Sequence, residues 1–270
     1  MHQVSDACHP HQQWRGILWI RVLTGLPDFS IIVPVLNEEK LLPVFFENLA
    51  RVIHGSGGYS AEVIVADGGS VDRSREISES NADVFIDVSK EPVNNIASGR
   101  NAGAREAKGR MLVFCNADIL FNEPDTILQR LDEEFRNHPE MVALAAWVET
   151  FPSEERIPDK LFHLFYNHYF RFLNVLGVGM GRGECIVVRR DGFFKAGGFD
   201  QTLPAGEDFA LFNKLIRIGN VKYSKAVKVF ESPRRFREYG YLKVTALWTI
   251  NATSVYFRKR SVSTKWKQVR

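Results

Sequence analysis

The chain has 270 residues, of which 45% are hydrophobic and 25% charged. This is an ordinary globular composition, and it excludes collagen-like, disordered and disulfide-scaffold proteins. The formal net charge of +3 is unevenly spread, because ten lysines and arginines accompany one acid, Glu238, from residue 234 to the end. A basic tail on a mildly acidic body favours a membrane surface or phosphate groups as partners, and argues against nucleic acid.

The three cysteines form no CxxC pair, and Cys115 and Cys185 lie in apolar runs, where a free cysteine packs as a small core residue. They favour a reducing, cytoplasmic compartment. The apolar stretch 16–26 is short, contains an arginine and has no cleavage signature. We therefore predict an accessory N-terminal segment over residues 1–27 rather than a signal peptide.

Strands and helices alternate along the first part of the chain. Short β-branched apolar runs predict the strands, and apolar residues at helical spacing predict the helices between them. The alternation predicts an α/β fold with a parallel sheet, whose ligands bind outside the carboxyl ends of the strands. The predicted strands are 29–35, 62–66, 84–86 and 111–115, and the predicted helices are 38–53, 73–80 and 96–108.

The alternation changes after residue 118, but no linker separates two units. The pattern predicts a second half built onto the first, so that residues 28–118 and 119–232 form one domain, followed by a basic, aromatic segment over 233–270. Helices are predicted at 125–137, 160–176 and 206–218, and strands at 142–148, 185–189 and 221–230.

Two polar clusters follow the first two strands. As local structure the first is a helix cap, in which proline ends the hydrogen-bond ladder of the strand, and the second is a turn, in which glycines allow a close backbone approach. A carboxylate at the end of a strand, such as Asp67, can also accept hydrogen bonds from a base edge or a ribose. The clusters are Pro34, Leu36, Asn37 and Glu38 after the first strand, and Asp67, Gly68 and Ser70 after the second.

A third cluster, Asn116, Ala117 and Asp118, follows the buried strand at 111–115. A carboxylate that emerges from a buried strand is costly unless it is paired or binds a metal. Mg²⁺ and similar hard ions prefer a few carboxylates together with substrate phosphate oxygens. Asp118 is therefore the candidate metal ligand.

Charged residues also open two helices. Arg100 lies in a helix of small residues and could reach a diphosphate. Glu207 and Asp208 stand at the start of another helix, where acids are favoured by the helix dipole. Adjacent carboxylates point in different directions, so one can be structural while the other faces a cleft as a general base.

Together these segments resemble the family 2 inverting glycosyltransferases of the GT-A fold. The resemblance covers most of residues 29–219 in the order of the family, and four motifs in register make it specific. It implies a GT-A-like, mostly parallel Rossmann-type sheet flanked by helices, with an acceptor-side extension. The matching pieces are FSIIVPVLNEEKLL, EVIVADGGSVDRS, GRNAGAREAKGRMLVFCNAD and RRDGFFKAGGFDQTLPAGEDFALFNKL.

The resemblance implies a nucleotide-diphospho-sugar donor, Mg²⁺ or Mn²⁺, and a single displacement with inversion. Glu38 and Asp67 inherit nucleoside contacts, with Pro34, Leu36, Asn37, Gly68, Ser70, Asn116 and Ala117 also at the donor. Arg100 would lie near the diphosphate, Asp118 would hold the metal, and Asp208 would be the catalytic base. Glu207, Arg182, Arg234 and Arg235 would lie on the acceptor side or at the diphosphate.

One departure from the family keeps an alternative open. Asn116 stands where the metal motif has its first acid, and it brings no charge to a cation. A non-catalytic nucleotide-sugar-binding protein is therefore a second hypothesis. A nucleotidyltransferase is a third, although it predicts a lysine- and arginine-rich glycine loop after the first strand, where this chain has Pro34, Asn37 and Glu38.

The remaining segments concern the acceptor. The glycines of 177–183 predict a mobile loop beside the acceptor site, and the aromatic helix at 160–176 predicts core packing, an interfacial helix or an acceptor wall. The apolar run 241–257 is interrupted by Lys243 and is too short to span a bilayer. With Trp248 and a basic flank it predicts an interfacial helix, peripheral attachment at the inner face of the cell membrane and a glycan or lipid-linked acceptor. Docking of this helix on the protein body is the alternative.

Overall fold

The computed structural model describes residues 25–263, so most of the predicted accessory segment lies outside the described residues. The strands are β1 (Phe29–Val35), β2 (Ala61–Asp67), β3 (Val84–Asp87), β4 (Met111–Cys115), β5 (Ile119–Phe121), β6 (Met141–Thr150), β7 (Cys185–Arg189) and β8 (Asn220–Glu231). The helices are α1 (Leu42–His54), α2 (Ser74–Asn81), α3 (Ile96–Glu106), α4 (Ile127–Asn137), α5 (Ile157–Val175), α6 (Arg190–Lys195), α7 (Glu207–Leu215), α8 (Arg234–Tyr239) and α9 (Tyr241–Arg258).

The described strands form one sheet in the order β3-β2-β1-β4-β7-β6-β8-β5. Strands β1 to β4 are parallel, and β6 and β8 run parallel to each other. Only β7 and β5 are reversed, through antiparallel pairing with β4, β6 and β8. The predicted α/β fold with a mostly parallel sheet is therefore confirmed, and the sheet runs through both predicted halves.

Helices cover both faces of this sheet. Apolar residues of α1 and α4 form one core with one face, and residues of α3, α5 and α7 form a second core with the other. The central strands are buried on both sides, which explains their continuous apolar sequences. The carboxyl ends of β1, β2, β4 and β8 consequently meet at one edge, together with the start of the reversed β7.

The structure differs from the predicted elements in several places. Helix α1 begins at Leu42 instead of residue 38, because Asn37 is in the left-handed region with φ 52° and the backbone N–H of Glu38 donates to Ser74 Oγ. Three short elements, β5, α6 and α8, were not expected. A helix of six residues makes less than two turns, too few for an apolar period to show, and β5 has three residues.

The glycine-rich stretch before β7 is packed, which contradicts the predicted mobile loop. A Cβ atom at Gly181 would lie 2.1 Å from the ring of Phe212, and a Cβ atom at Gly179 would lie 2.5 Å from the carbonyl oxygen of Phe212. These glycines let the chain pass directly over α7. Among residues 25–263, no helix is long and apolar enough to cross a lipid bilayer.

Candidate active site

A cavity with a volume of about 650 Å³ opens where the parallel strands end. This volume falls in the range of small-molecule and cofactor pockets, about 300–1,000 Å³. Seven of the predicted donor and metal residues line it: Pro34, Leu36, Glu38, Gly68, Asn116, Ala117 and Asp118. The loops after β1, β2 and β4 therefore meet at one site. This agrees with the strand-end rule, by which ligands of a parallel sheet bind outside the carboxyl ends of its strands.

A smaller cavity of about 100 Å³ adjoins the first. Asp208 lies in its wall, together with Trp248 and Asn251 from α9. The two cavities share wall residues, so Asp118 and Asp208 open onto adjoining parts of one crevice. The shared residues are Ile96, Asn116, Glu184, Pro204, Glu231 and Arg235.

The two acids at the start of α7 have different surroundings. Glu207 is buried, and its Oε1 accepts a hydrogen bond of 2.9 Å from Arg100 Nη1. Asp208 is half-buried in the crevice wall, and burial, followed by the charge of Glu207, raises its pKa to about 8. A carboxylate of raised pKa is a stronger base than an ordinary aspartate. Both acids line the smaller cavity, and Glu207 is the one paired with Arg100. A structural role for Glu207 and a base role for Asp208 stay predictions.

Arg100 links three segments of the site through hydrogen bonds, to Glu207, Asn116 and Gly183. Its guanidinium is 1% exposed, and Nη2 donates to Asn116 Oδ1 at 2.9 Å and to the carbonyl of Gly183 at 2.6 Å. Helix α3 lies close enough to the sheet that a Cβ at Gly103 would fall 2.4 Å from a methyl group of Ile32. Arg100 thus pairs with protein groups and also lines the smaller cavity. Its predicted approach to a diphosphate stays a prediction.

Asp118, the candidate metal ligand of the sequence analysis, lies in the wall of the larger cavity. It keeps 40% of its side-chain surface exposed, and Arg234 Nη2 lies 3.9 Å from Oδ2. Burial, followed by the charge of Glu184, raises the pKa of the Asp118 carboxyl. No group of three or more His, Cys, Asp or Glu residues within 25–263 is placed to hold a metal. Mg²⁺ or Mn²⁺ at Asp118 would therefore need phosphate oxygens of a bound nucleotide, and such a mixed set suits these ions.

Three residues predicted at the donor, Asn37, Asp67 and Ser70, line neither cavity. Asp67 is 1% exposed, and its carboxylate accepts from the backbone N–H of Gly69 and Ser70 and from Ser70 Oγ. Ser70 Oγ in turn accepts from the backbone N–H of Asn37 at 2.8 Å. Asn37, Asp67 and Ser70 thus join the loops after β1 and β2, and their contact with a nucleoside stays a prediction.

A buried charge cluster around Arg182 forms one wall of the smaller cavity. Arg182 donates from Nη2 to Glu184 at 2.8 Å, makes a close ion pair with Glu231, and lies 5.0 Å from the Trp248 ring centre. Arg182 Nη1 also lies 3.1 Å from His163 Nδ1. Because arginine only donates, Nδ1 must be the acceptor and Nε2 carries the proton.

Glu184, Glu231 and His163 were not found from the sequence. Burial raises the pKa of Glu231 to about 8, despite its pairing with Arg182. Glu231 ends β8 and Glu184 precedes the reversed β7, so both lie at the same edge of the sheet. The strand-end rule would have found Glu231, whereas Glu184 requires knowledge that β7 is antiparallel.

The basic residues after β8 separate into two environments. Arg235 lies in the walls of both cavities, and Arg234 is the residue near Asp118. Arg237 instead donates to Asp159 Oδ2 at 2.9 Å, at the start of α5. Arg235 therefore lines the crevice and Arg234 lies beside Asp118. Their predicted contact with an acceptor or a diphosphate stays a prediction.

The sequence model of glycosyl transferase family 2 matches residues 30–195, which is more than half of the chain. The chain belongs to glycosyl transferase family 2. The resemblance and the glycosyltransferase class predicted from the sequence are thereby confirmed. A Mycobacterium bovis protein named "PGL/p-HBAD biosynthesis glycosyltransferase" is 31% identical over 104 residues, which cover 37% of this chain and 39% of that protein. The chain thus spans about two fifths of the length of such relatives.

Two solved structures show that the fold is GT-A-like. The mannosyltransferase PcManGT of Pyrobaculum calidifontis, in complex with GDP-Man and Mn²⁺, superposes with a TM-score of 0.63 at 20% identity, over 87% of this chain and 64% of that one. Glucosyl-3-phosphoglycerate synthase of Mycobacterium tuberculosis, with Mn²⁺, UDP-Glc and phosphoglyceric acid, has a TM-score of 0.56 at 14% identity, over 85% and 79% of the two chains.

Proposed function

We propose that the protein transfers a sugar from a nucleotide-diphospho-sugar to an acceptor hydroxyl with inversion, and that Asp208 is the general base. The observation that carries this proposal is the opening of Asp118 and Asp208 onto one crevice, in a chain of glycosyl transferase family 2. Solved relatives of the same fold contain GDP-Man or UDP-Glc together with Mn²⁺.

The donor occupies the larger cavity, and the acceptor hydroxyl enters the smaller one. Asp208, with its raised pKa, takes the proton of the hydroxyl as the oxygen attacks the anomeric carbon. The bond to the diphosphate breaks on the opposite side of the carbon, so one displacement inverts the configuration. Arg234 lies beside Asp118, and Arg235 lines the larger cavity. Their positive charges stabilise the negative charge of the leaving diphosphate.

Asp118 is the residue that would hold a divalent cation, which when bound supplies charge stabilisation for the leaving group. Glu207 and Arg100 act through position. Arg100 fixes Asn116 in the wall of the donor cavity and Glu207 beside Asp208. Arg100 thereby holds Asn116, on the donor side, at a fixed position relative to the base Asp208.

A catalytically silent nucleotide-sugar-binding protein is the second candidate. The observation in its favour is that Asn116, in place of an acid, accepts a hydrogen bond from Arg100 and brings no charge to a cation. The nucleotidyltransferase hypothesis is disfavoured by the family match.

Incubation of the protein with a panel of nucleotide sugars and Mn²⁺, with and without acceptor extracts, separates these candidates. The proposal expects release of nucleoside diphosphate from at least one donor, and faster release with a suitable acceptor. Tight donor binding without any release, over all donors and extracts, would support the silent binding protein and overturn the proposal.

A further inference from the structure

Helix α5 carries apolar side chains on its outer face as well as on its inner face. Phe162, Tyr166 and Phe170 are buried against the sheet. Exposed apolar residues recur at spacings of three and four along the opposite side, so they form a continuous stripe. They include Leu161, Leu164, Phe165, Tyr169, Phe172 and Val175, each between 42% and 81% exposed.

Helix α9 continues this exposed apolar surface. Leu242, Ile250 and Phe257 are 87%, 50% and 76% exposed, whereas the opposite side of α9 packs against α7 and α8. The two helices touch through Trp248, whose ring centre lies 5.2 Å from that of Tyr166. The two helices therefore lie next to each other.

The exposed charged residues within the two helices are basic, and exposed acids lie just before them, Glu154 and Glu155 before α5 and Glu238 before α9. Lys160 and Arg171 on α5 and Lys243 and Arg258 on α9 are exposed. The acid within the two helices, Asp159, is buried and paired with Arg237 and Tyr241. An apolar surface that carries exposed cations on both of its helices is complementary to the headgroups and acyl chains of anionic lipids. A second copy of the chain would instead bring these cations together.

We propose that the exposed faces of α5 and α9 form a docking surface for an anionic lipid bilayer, with both helices lying in the plane of the membrane. Trp248 and Asn251, on the inner side of α9, line the cavity of Asp208. The docked protein therefore holds this cavity beside the lipid surface, within reach of an acceptor anchored in the bilayer. The acceptor part of the inference rests on the proposed function.

Flotation of the full chain with vesicles of phosphatidylcholine, with and without about 30% phosphatidylglycerol, tests the surface. We expect binding to anionic vesicles that falls with added salt. The double substitution Phe165→Ser and Phe172→Ser should reduce binding about tenfold or more. Phe194→Ser, at an exposed phenylalanine on α6, is the matched control and should leave binding unchanged.

Two results would overturn the inference. One is absence of binding to anionic vesicles, and the other is equal loss of binding in Phe194→Ser. Light scattering in solution gives a further check, because a dimer that dissociates on the double substitution would assign the surface to a second copy. Release of nucleoside diphosphate without vesicles, measured on the same preparations, separates failure of the docking surface from failure of the proposed function.

Discussion

Arg100→Met provides the sharpest test of how the site is built. The guanidinium is 1% exposed and pairs with Glu207, whose side chain is 10% exposed. Methionine keeps much of the aliphatic stem but leaves the Glu207 carboxylate in a buried position without its cation. Breaking a buried pair from one side costs about 3–5 kcal/mol, so we expect the free energy of unfolding to fall by about that amount.

Urea unfolding followed by tryptophan fluorescence measures this loss. Arg105→Met on the same helix is the matched control, because Arg105 is 54% exposed and lies 4.0 Å from Glu91. An exposed pair of this kind contributes about 0–1 kcal/mol. Adding Glu207→Gln to Arg100→Met should recover part of the stability, since the buried charge is then gone. A loss below about 1 kcal/mol in Arg100→Met would refute the reasoning.

Three further predictions follow from the same surroundings. If Asp208 is the proposed base, it acts only when ionised, so kcat/KM should rise with pH around a midpoint near 8. Glu207→Gln should lower that midpoint by removing a like charge. Burial lowers the pKa of His163 to about 3 in the folded protein, so below about pH 6.5 this side chain binds a proton in the unfolded chain only. The free energy of unfolding should therefore fall with acid, and relative to His163→Gln the loss should be about 2 kcal/mol at pH 5. Gly103→Ala should cost about 1–3 kcal/mol through its clash with Ile32.

Each of these predictions has a control. A midpoint that rises in Glu207→Gln would contradict the assigned like-charge effect. His138 is exposed, so His138→Gln should show the acid sensitivity of the parent chain, and equal sensitivity in His163→Gln would remove His163 as its source. Gly25 has no neighbour within 4 Å of a Cβ atom, so Gly25→Ala should be neutral, and a neutral Gly103→Ala would show that α3 can move away from the sheet.

The sequence revealed those parts of the molecule in which neighbours along the chain determine the outcome. Strands β1 and β4 are continuous buried apolar runs, and the strand-end rule brought Asp118 to the correct edge. Partner residues distant in sequence were not visible. The burial of Arg100 depends on Glu207, which follows it by 107 positions, and Arg182 depends on Glu231, 49 positions away. Roles that depend on such pairings require the folded structure.

The central claim is that Asp118 serves the donor and its cation while Asp208 serves the acceptor hydroxyl. Donor affinity by calorimetry, with and without Mn²⁺, together with turnover of Asp118→Asn and Asp208→Asn, tests this division most directly. Asp208→Asn should bind donor as the parent chain does and lose about 10²–10⁴ in transfer rate, whereas Asp118→Asn should lose the Mn²⁺-dependent part of donor affinity. Near-normal transfer by Asp208→Asn, or unchanged Mn²⁺ dependence in Asp118→Asn, would contradict it.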